Sequence, residues 1–164
     1  MTHEIPLTQG KIALIDDDDY EEISKYKWFA NKRGKTYYAI RNSTYENGKR
    51  YLIYMHSIIA GTPKGMETDH MNGNGLDNRK ENLRFCSPME NTYNRPEMKR
   101  KTPKFSKYKG VYWRKSRNKW HVRIQANGKR EYVGMYDDEI EAAKAYDAAA
   151  KKFHGEFAYL NFPE

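Results

Sequence analysis

The chain has 164 residues, 38% hydrophobic and 32% charged, with a formal net charge of +8 and an isoelectric point near 9.4. This leanness favours small modules over one large core, and the positive balance points to an anionic partner. A lone cysteine, Cys86, excludes a disulfide framework and any zinc site needing two cysteines. No apolar run approaches the ~20 residues of a membrane span, and MTHEIPLTQG lacks a secretory signal pattern, so a soluble protein of a reducing cytoplasm, with no membrane partner, is expected.

In chain order, residues 1 to 50 read as a β-rich region. Strand-like runs fall at 12–15 and 35–41, with another at 51–54, and Gly34 and Asn47-Gly48 mark hairpins. Between the first two runs, Asp19 reads as an N-cap with Glu22 at the third helical position, predicting a short helix to about Tyr26. The acidic run Asp16 to Asp19 lacks the alternating oxygens and central glycine of a calcium loop and reads as a solvated turn.

Residues 51 to 96 hold the densest chemistry, in the text E-T-D-H-M-N-G-N-G-L-D-N-R-K-E-N-L-R-F-C-S-P-M-E-N from Glu67 to Asn91. Asp69-His70 closes a strand that starts near Met66. Gly73 and Gly75 permit a tight loop, and Asn82 to Cys86 begins a second strand. Ser87-Pro88-Met89-Glu90 is a helix start, with Ser as N-cap, Pro at the first helical position and Glu completing a capping box. Asn91 then lies in or just after the first turn, and a helix folded across the hairpin brings its side chain back towards Asp69. A carboxylate, an imidazole and an amide oxygen in one hairpin-plus-helix unit are the parts needed to hydrolyse a phosphodiester.

This arrangement resembles the HNH nucleases, specifically the phage and intron homing endonucleases with Asn in place of the helix histidine. The match rests on Asp69, His70, Asn82 and Asn91 within D-H-x-N-G-N-x-x-D-N-R-x-x-N-L-R. The resemblance implies that Asp69 and Asn91 hold one divalent ion, magnesium by preference with manganese able to stand in. It implies that His70 is the general base and that Asn82 pins the loop and orients the histidine. The chemistry agrees, since a hard cation takes oxygen ligands and an imidazole titrating near ~6.5 accepts a proton at neutral pH. His56, at a place where the family also has histidine, reads two ways, as a phosphate contact or buttress and as a packed residue near a helix start. Arg79 and Arg84 read as phosphate contacts or as ordinary surface charges.

Residues 97 to 107 are basic, broken by Pro103 and without periodicity, and read as an exposed linker. From 108 the character changes. Strand-like runs at 110–114, 120–125 and 130–136 are separated by turns at Arg117-Asn118 and Asn127-Gly128. A helix is predicted from about Asp138 to Phe153, with Ile140, Ala143, Ala145, Tyr146, Ala149 and Phe153 facing the sheet and Gly155 past its end.

Period-two alternation turns Trp120, Val122 and Ile124 to the helix and His121, Arg123 and Gln125 outward, with Arg130, Tyr132, Tyr112 and Arg114 on the same outer face. From Arg95 through Tyr132 there are fourteen Lys/Arg against two acids. Arginine forks suit guanine and glutamine suits adenine, while Lys109, Lys115, Arg117 and Lys119 suit phosphates. The text Y-K-G-V-Y-W-R, E-A-A-K-A-Y-D-A-A-A-K-K-F-H-G and A-Y-L-N-F-P resembles the plant ethylene-response-factor (Apetala-type) DNA-binding domain, which implies a sheet laid into the major groove. The plant domains usually carry more arginine on the first strand and an acid where Arg123 stands here, so their target sequence does not carry over.

The expected fold is α+β: an N-terminal β-rich segment, a ββα-metal nuclease core, and a three-stranded antiparallel sheet on one long helix. The expected boundaries are 1–50, 51–96, 97–107 and 108–164. The expected function is site-specific cutting of double-stranded DNA by a monomer that nicks one strand, in a bacterial or phage-infected cell. The alternative is a non-catalytic DNA-binding regulator that uses the nuclease fold as a scaffold. An RNA-binding module is disfavoured because the A-form major groove is too deep and narrow for a sheet.

Overall fold

A computed structural model describes residues 1–45, 48–95 and 106–163. Asn47 of the second expected hairpin signal, and all of the expected linker except Ser106 and Lys107, lie outside the described residues. The chain divides into two compact units, Met1–Asn91 and Thr92–Glu164.

In the first unit, β1 (Thr2–Pro6) pairs antiparallel with β2 (Ile12–Asp16). The chain then enters α1 (Asp17–Ser24), whose N-cap is Asp16 rather than the expected Asp19. The helix starts early because β2 ends at Asp16, the Asp17 amide already donates to the Met1 carbonyl at 3.0 Å, and three aspartates in the first turn suit the helix dipole. A second sheet has the order β3 (Phe29–Arg33), β4 (Thr36–Asn42), β5 (Leu52–Tyr54). Gly34, at φ 60, and Lys35 close the β3–β4 hairpin in two residues, with Arg33 opposite Thr36. Neither β1 nor β3 stood out in the sequence, because β1 buries only Ile5 and β3 only Ala30.

A short helix α2 (Met55–Ala60) leads to the hairpin β6 (Glu67–His70) and β7 (Leu83–Cys86), and then to α3 (Pro88–Tyr93). One core draws on β1, β2, α1, β4, α2 and the β6–β7 loop. Ile5, Ala13, Ile15, Ile23, Trp28, Ala39 and Met55 are buried together, with Ile59 and Leu76 packed against them. Leu76 belongs to the β6–β7 loop, so the N-terminal sheets and the hairpin loop are anchored to each other.

The second unit is a sheet of order β10 (Lys129–Tyr136), β9 (Lys119–Ala126), β8 (Val111–Arg114), covered by α4 (Glu139–His154). Asp138 caps α4, accepting from the Ile140 and Glu141 amides at 2.8 Å. The buried face of α4 is Ala142, Ala143, Tyr146, Asp147, Ala150 and His154. This corrects the expected stripe, in which Ile140 and Phe153 faced the sheet; both are exposed. Polar anchors set the rotation of the helix: Asp147 accepts the Asn161 and Phe162 amides at 2.8 and 2.9 Å, and His154 meets the Gln125 carbonyl at 2.6 Å. Alanine permits the close approach, and Gly110 permits Tyr146 to lie against the chain, since a Cβ there would stand 2.1 Å from the ring.

Candidate nuclease centre and nucleic-acid interface

The β6–β7 register sets the site. Glu67 pairs with Cys86, Thr68 with Phe85, Asp69 with Arg84 and His70 with Leu83. Alternation sends Glu67 and Asp69 to one face and Thr68 and His70 to the other. On the first face, the Arg84 guanidinium donates to Asp69 Oδ2 through Nε at 3.0 Å and Nη2 at 2.7 Å, with both side chains about nine-tenths buried. Arg84 is therefore neither a surface charge nor presented to solvent.

The reciprocal capping box expected at Ser87 is formed. The Ser87 amide donates to Glu90 Oε2 at 2.7 Å, and the Glu90 amide to Ser87 Oγ at 3.2 Å. The box fixes α3, and Asn91 on it donates through Nδ2 to Glu67 Oε2 at 2.5 Å. A carboxylate oxygen can only accept from the NH₂ end, so the amide carbonyl is the end left for a cation.

On the second face His70 is enclosed. Its ring meets His56 edge-on at 4.9 Å and Tyr38 at 5.7 Å, and Tyr38 also contacts His56 at 5.7 Å. Asn78, fully buried, faces His70 Nε2 with Oδ1 at 3.3 Å and donates Nδ2 to the Leu76 carbonyl at 3.2 Å. The Leu76 contact fixes which end of the amide is oxygen. His70 Nε2 must then donate, and Nδ1 is the nitrogen with the lone pair. Burial lowers the His70 pKa, while Asn78, Asp69 and Asp77 raise it in part, so the ring is neutral at neutral pH. His56 is pushed down to about 3, first by burial and then by His70. It is a packed ring inside α2, one ring contact from the site.

The loop between the strands is held by polar contacts. Asn82 uses both ends of its amide: Oδ1 accepts from the Asn72 amide at 3.0 Å, and Nδ2 donates to the Asp77 carbonyl at 2.7 Å. Both bonds go to the loop backbone, while the polar contact on the His70 ring comes from Asn78. Asp77, 3% exposed, takes Arg79 bidentately at 2.8 Å and Asn72 at 2.9 Å. Arg79 thus braces the loop, and also meets Glu81 at 2.7 Å. From the N-terminal side, Leu14 pairs with the loop through the Leu76 carbonyl and the Asn78 amide, both at 2.8 Å. Asp16 accepts the Lys80 amide at 2.7 Å and Thr36 the Gly75 amide at 3.0 Å.

Sequence reading missed Asn78, Asp77 and Tyr38. The first two stand in the D-N-R text that marked the motif, while Tyr38 comes from a distant strand and left no local signal. Among the described residues no group of three or more His, Cys, Asp or Glu gathers. The oxygens of Asp69 and Asn91 are hard donors of the kind that magnesium takes in ones and twos, with water and phosphate completing its shell, so the residues present fit such an ion.

In the second unit the outer face of the sheet carries Arg123, Gln125, Arg130 and Tyr132, all exposed, with Arg130 opposite Gln125 and Tyr132 opposite Arg123. Arg114, Lys115 and Arg117 are exposed at the β8–β9 turn. His121 lies on this face but is buried, its ring 5.0 Å from both Tyr112 and Tyr132. It supports those rings rather than reaching outward. The Lys109 ammonium donates to the Tyr93 and Arg95 carbonyls at 2.6 and 2.5 Å, and Lys119 meets Asp137 at 2.9 Å. Lys109 is thus tied into its own unit.

Two family models match the chain: "HNH endonuclease" over residues 60–93 and "AP2 domain" over residues 106–156. An uncharacterized HNH endonuclease of Acanthamoeba polyphaga mimivirus is 32% identical over 157 residues, covering 93% of this chain and 76% of that protein. Protein 3.8 of Escherichia phage T7 is 32% identical over 116 residues, 70% of this chain and 91% of that protein. An AP2-like ethylene-responsive transcription factor of Arabidopsis thaliana is 44% identical over 57 residues, 35% of this chain and 13% of that protein. With its hairpin-and-helix nuclease centre and its three-stranded sheet on a helix, the chain belongs to the HNH endonuclease family and bears an AP2 domain in the same polypeptide.

Proposed function

We propose that the chain is a site-specific endonuclease of the homing type that hydrolyses one phosphodiester of double-stranded DNA as a monomer. The observation that supports it most is the buried His70, held at Nε2 by Asn78 Oδ1 at 3.3 Å on the same hairpin that carries Asp69. Asp69 and the Asn91 carbonyl would hold one divalent ion, magnesium by preference, which supplies charge stabilisation at the phosphate and at the leaving oxygen. His70 removes the proton of the attacking water, a contribution of about 10²–10⁴-fold. Asn78 and Tyr38 keep the imidazole oriented, Asn82 and Asp77 keep the loop in place, and Glu67 turns the Asn91 amide. The products are a 5′-phosphate and a 3′-hydroxyl. One centre per chain cuts one strand, and a double-strand break needs two events.

The AP2 sheet finds the site. Arg123, Gln125 and Arg130 read base edges in the major groove, while Arg114, Lys115 and Arg117 take phosphates. Tyr132 offers an apolar edge among them.

The test is conversion of a supercoiled plasmid, carrying DNA from the gene's own neighbourhood, to open circle. Magnesium-dependent nicking by wild type, blocked by EDTA and lost in Asp69→Ala with the gel shift intact, is the expected result. If wild type shifts this DNA but does not nick it with magnesium or manganese, the reading is wrong and a non-catalytic regulator replaces it.

A further inference from the structure

The outer face of the AP2 sheet is not cationic throughout, because its middle is a patch of rings. Register puts Tyr112 of β8 and Met135 of β10 opposite His121 of β9, and Tyr132 of β10 opposite Arg123, so these side chains share one face. The His121 ring meets Tyr112 edge-on at 5.0 Å and Tyr132, tilted by 40°, also at 5.0 Å. His121 is 3% exposed and Tyr132 59% exposed, so a buried floor carries one raised ring.

None of these side chains belongs to the apolar cluster of the unit, which gathers Val111, Val122, Ile124 and Tyr146 on the other side of the sheet. A lone exposed tyrosine is ordinary. An imidazole buried beneath it on the open face is not. Burial, and then Arg123 and Arg114, lower the His121 pKa, so the ring is neutral at neutral pH and leaves the patch uncharged. Cations surround it. Arg123 lies over the Tyr112 ring at 5.8 Å, Arg130 stands opposite Gln125 on the same face, and Arg114 ends β8; all three arginines are exposed. A polyanion drawn to them is brought down on the rings. Base edges in the major groove offer donors and acceptors, with one apolar group among them, the C5-methyl of thymine. 5-Methylcytosine carries the same methyl.

We propose that this patch reads pyrimidine C5-methyl groups: Tyr132, supported by His121 and Tyr112, packs against the methyl of a pyrimidine in the target. The assignment rests on the proposed seating of this face in the major groove, and it names one feature of the sequence that the face selects.

The test starts with the full chain selecting sites from a duplex library of random sequence, in EDTA so that nothing is cut. The selected pool is copied three ways: with ordinary nucleotides, with dUTP in place of dTTP, and with 5-methyl-dCTP in place of dCTP. Wild type should bind the uracil copy about three- to fivefold more weakly than the ordinary copy, as fits one apolar carbon returned to water. A gain on the 5-methyl-dCTP copy without a loss on uracil would also support the patch and would name 5-methylcytosine as the source. Tyr132→Ala should bind all copies alike, whereas Tyr132→Phe should keep the difference. The Tyr132 side chain is exposed, so both variants keep the fold, which an unchanged melting curve verifies. Equal binding of wild type to all three copies would overturn the proposal. So would a methyl effect that persists undiminished in Tyr132→Ala, since the DNA itself would then be its cause. If no sequence recurs in the selected pool, the sheet is not a site finder and the proposal falls with that reading. A recurring sequence without a methyl effect sinks the proposal alone.

Discussion

The two units reach their functional surfaces by different routes. In the AP2 unit the apolar faces of β8–β10 and α4 enclose one small core, and the residues proposed to meet DNA are mostly the alternate positions left outside. In the nuclease unit the reactive side chains sit on a four-residue pair of strands too short to hold anything alone. Their positions come from a polar lattice of Asn72, Asp77, Asn78, Arg79 and Asn82, together with segments from far along the chain. A reading face follows from periodicity, whereas a catalytic loop depends on satisfied hydrogen bonds between distant parts.

That contrast can be broken from either side. Among the residues that support the centre, the largest effect on chemistry should come from Asn78→Leu, which keeps the volume but leaves His70 without its acceptor. Nicking should fall about ten- to hundredfold, with DNA binding unchanged by gel shift. An undiminished rate would mean that Asn78 does not orient the base.

In the AP2 unit the matching break is Gly110→Ala. The residue is at φ +75, and the added carbon would meet the Tyr146 ring and the Arg123 carbonyl. The expected cost is about 2–4 kcal/mol, read by urea unfolding, with loss of site-specific binding.

A smaller effect is expected at Asp77. Its carboxyl is held below its ordinary value of 3.8, first by the Arg79 hydrogen bond. Because the folded value is the lower one, its contribution is whole above that ordinary value, and it is lost as the pH falls through the folded value. Asp77→Asn should cost about 1–3 kcal/mol at pH 7, reduced from a fully buried pair because the Arg79 side chain is 30% exposed. The gap to wild type should close in acid. A gap that stays constant with pH would refute the charge-based account.

The smallest effect belongs to Ser87→Ala, which removes one half of the α3 cap at about 0.5–2 kcal/mol. It should slow nicking only as far as it loosens Asn91, and a raised magnesium requirement would sharpen that link.

How legible the molecule was in its sequence follows the same division. The strands and turns of the AP2 unit, the capping box at Ser87 and the hairpin at Gly34 each have a local cause and were readable. The rotation of α4 was not, because Asp147 and His154 are drawn inward by partners at 161, 162 and 125. In the site, Asp69, His70, Asn82 and Asn91 stood out as a motif, but not the pairing of Arg84 with Asp69. The place of Tyr38 against the two histidines and the acceptor role of Asn78 were equally hidden, whereas His56 was legible as a buttress or a packed ring. These depend on which strands face each other, which no single segment encodes.

The most direct test of the central claim is magnesium-dependent nicking by wild type beside His70→Ala, at matched DNA occupancy. The account predicts loss of about 10²-fold or more in the variant with binding retained. A variant that nicks as fast as wild type would contradict it, since the proton of the attacking water would then go elsewhere.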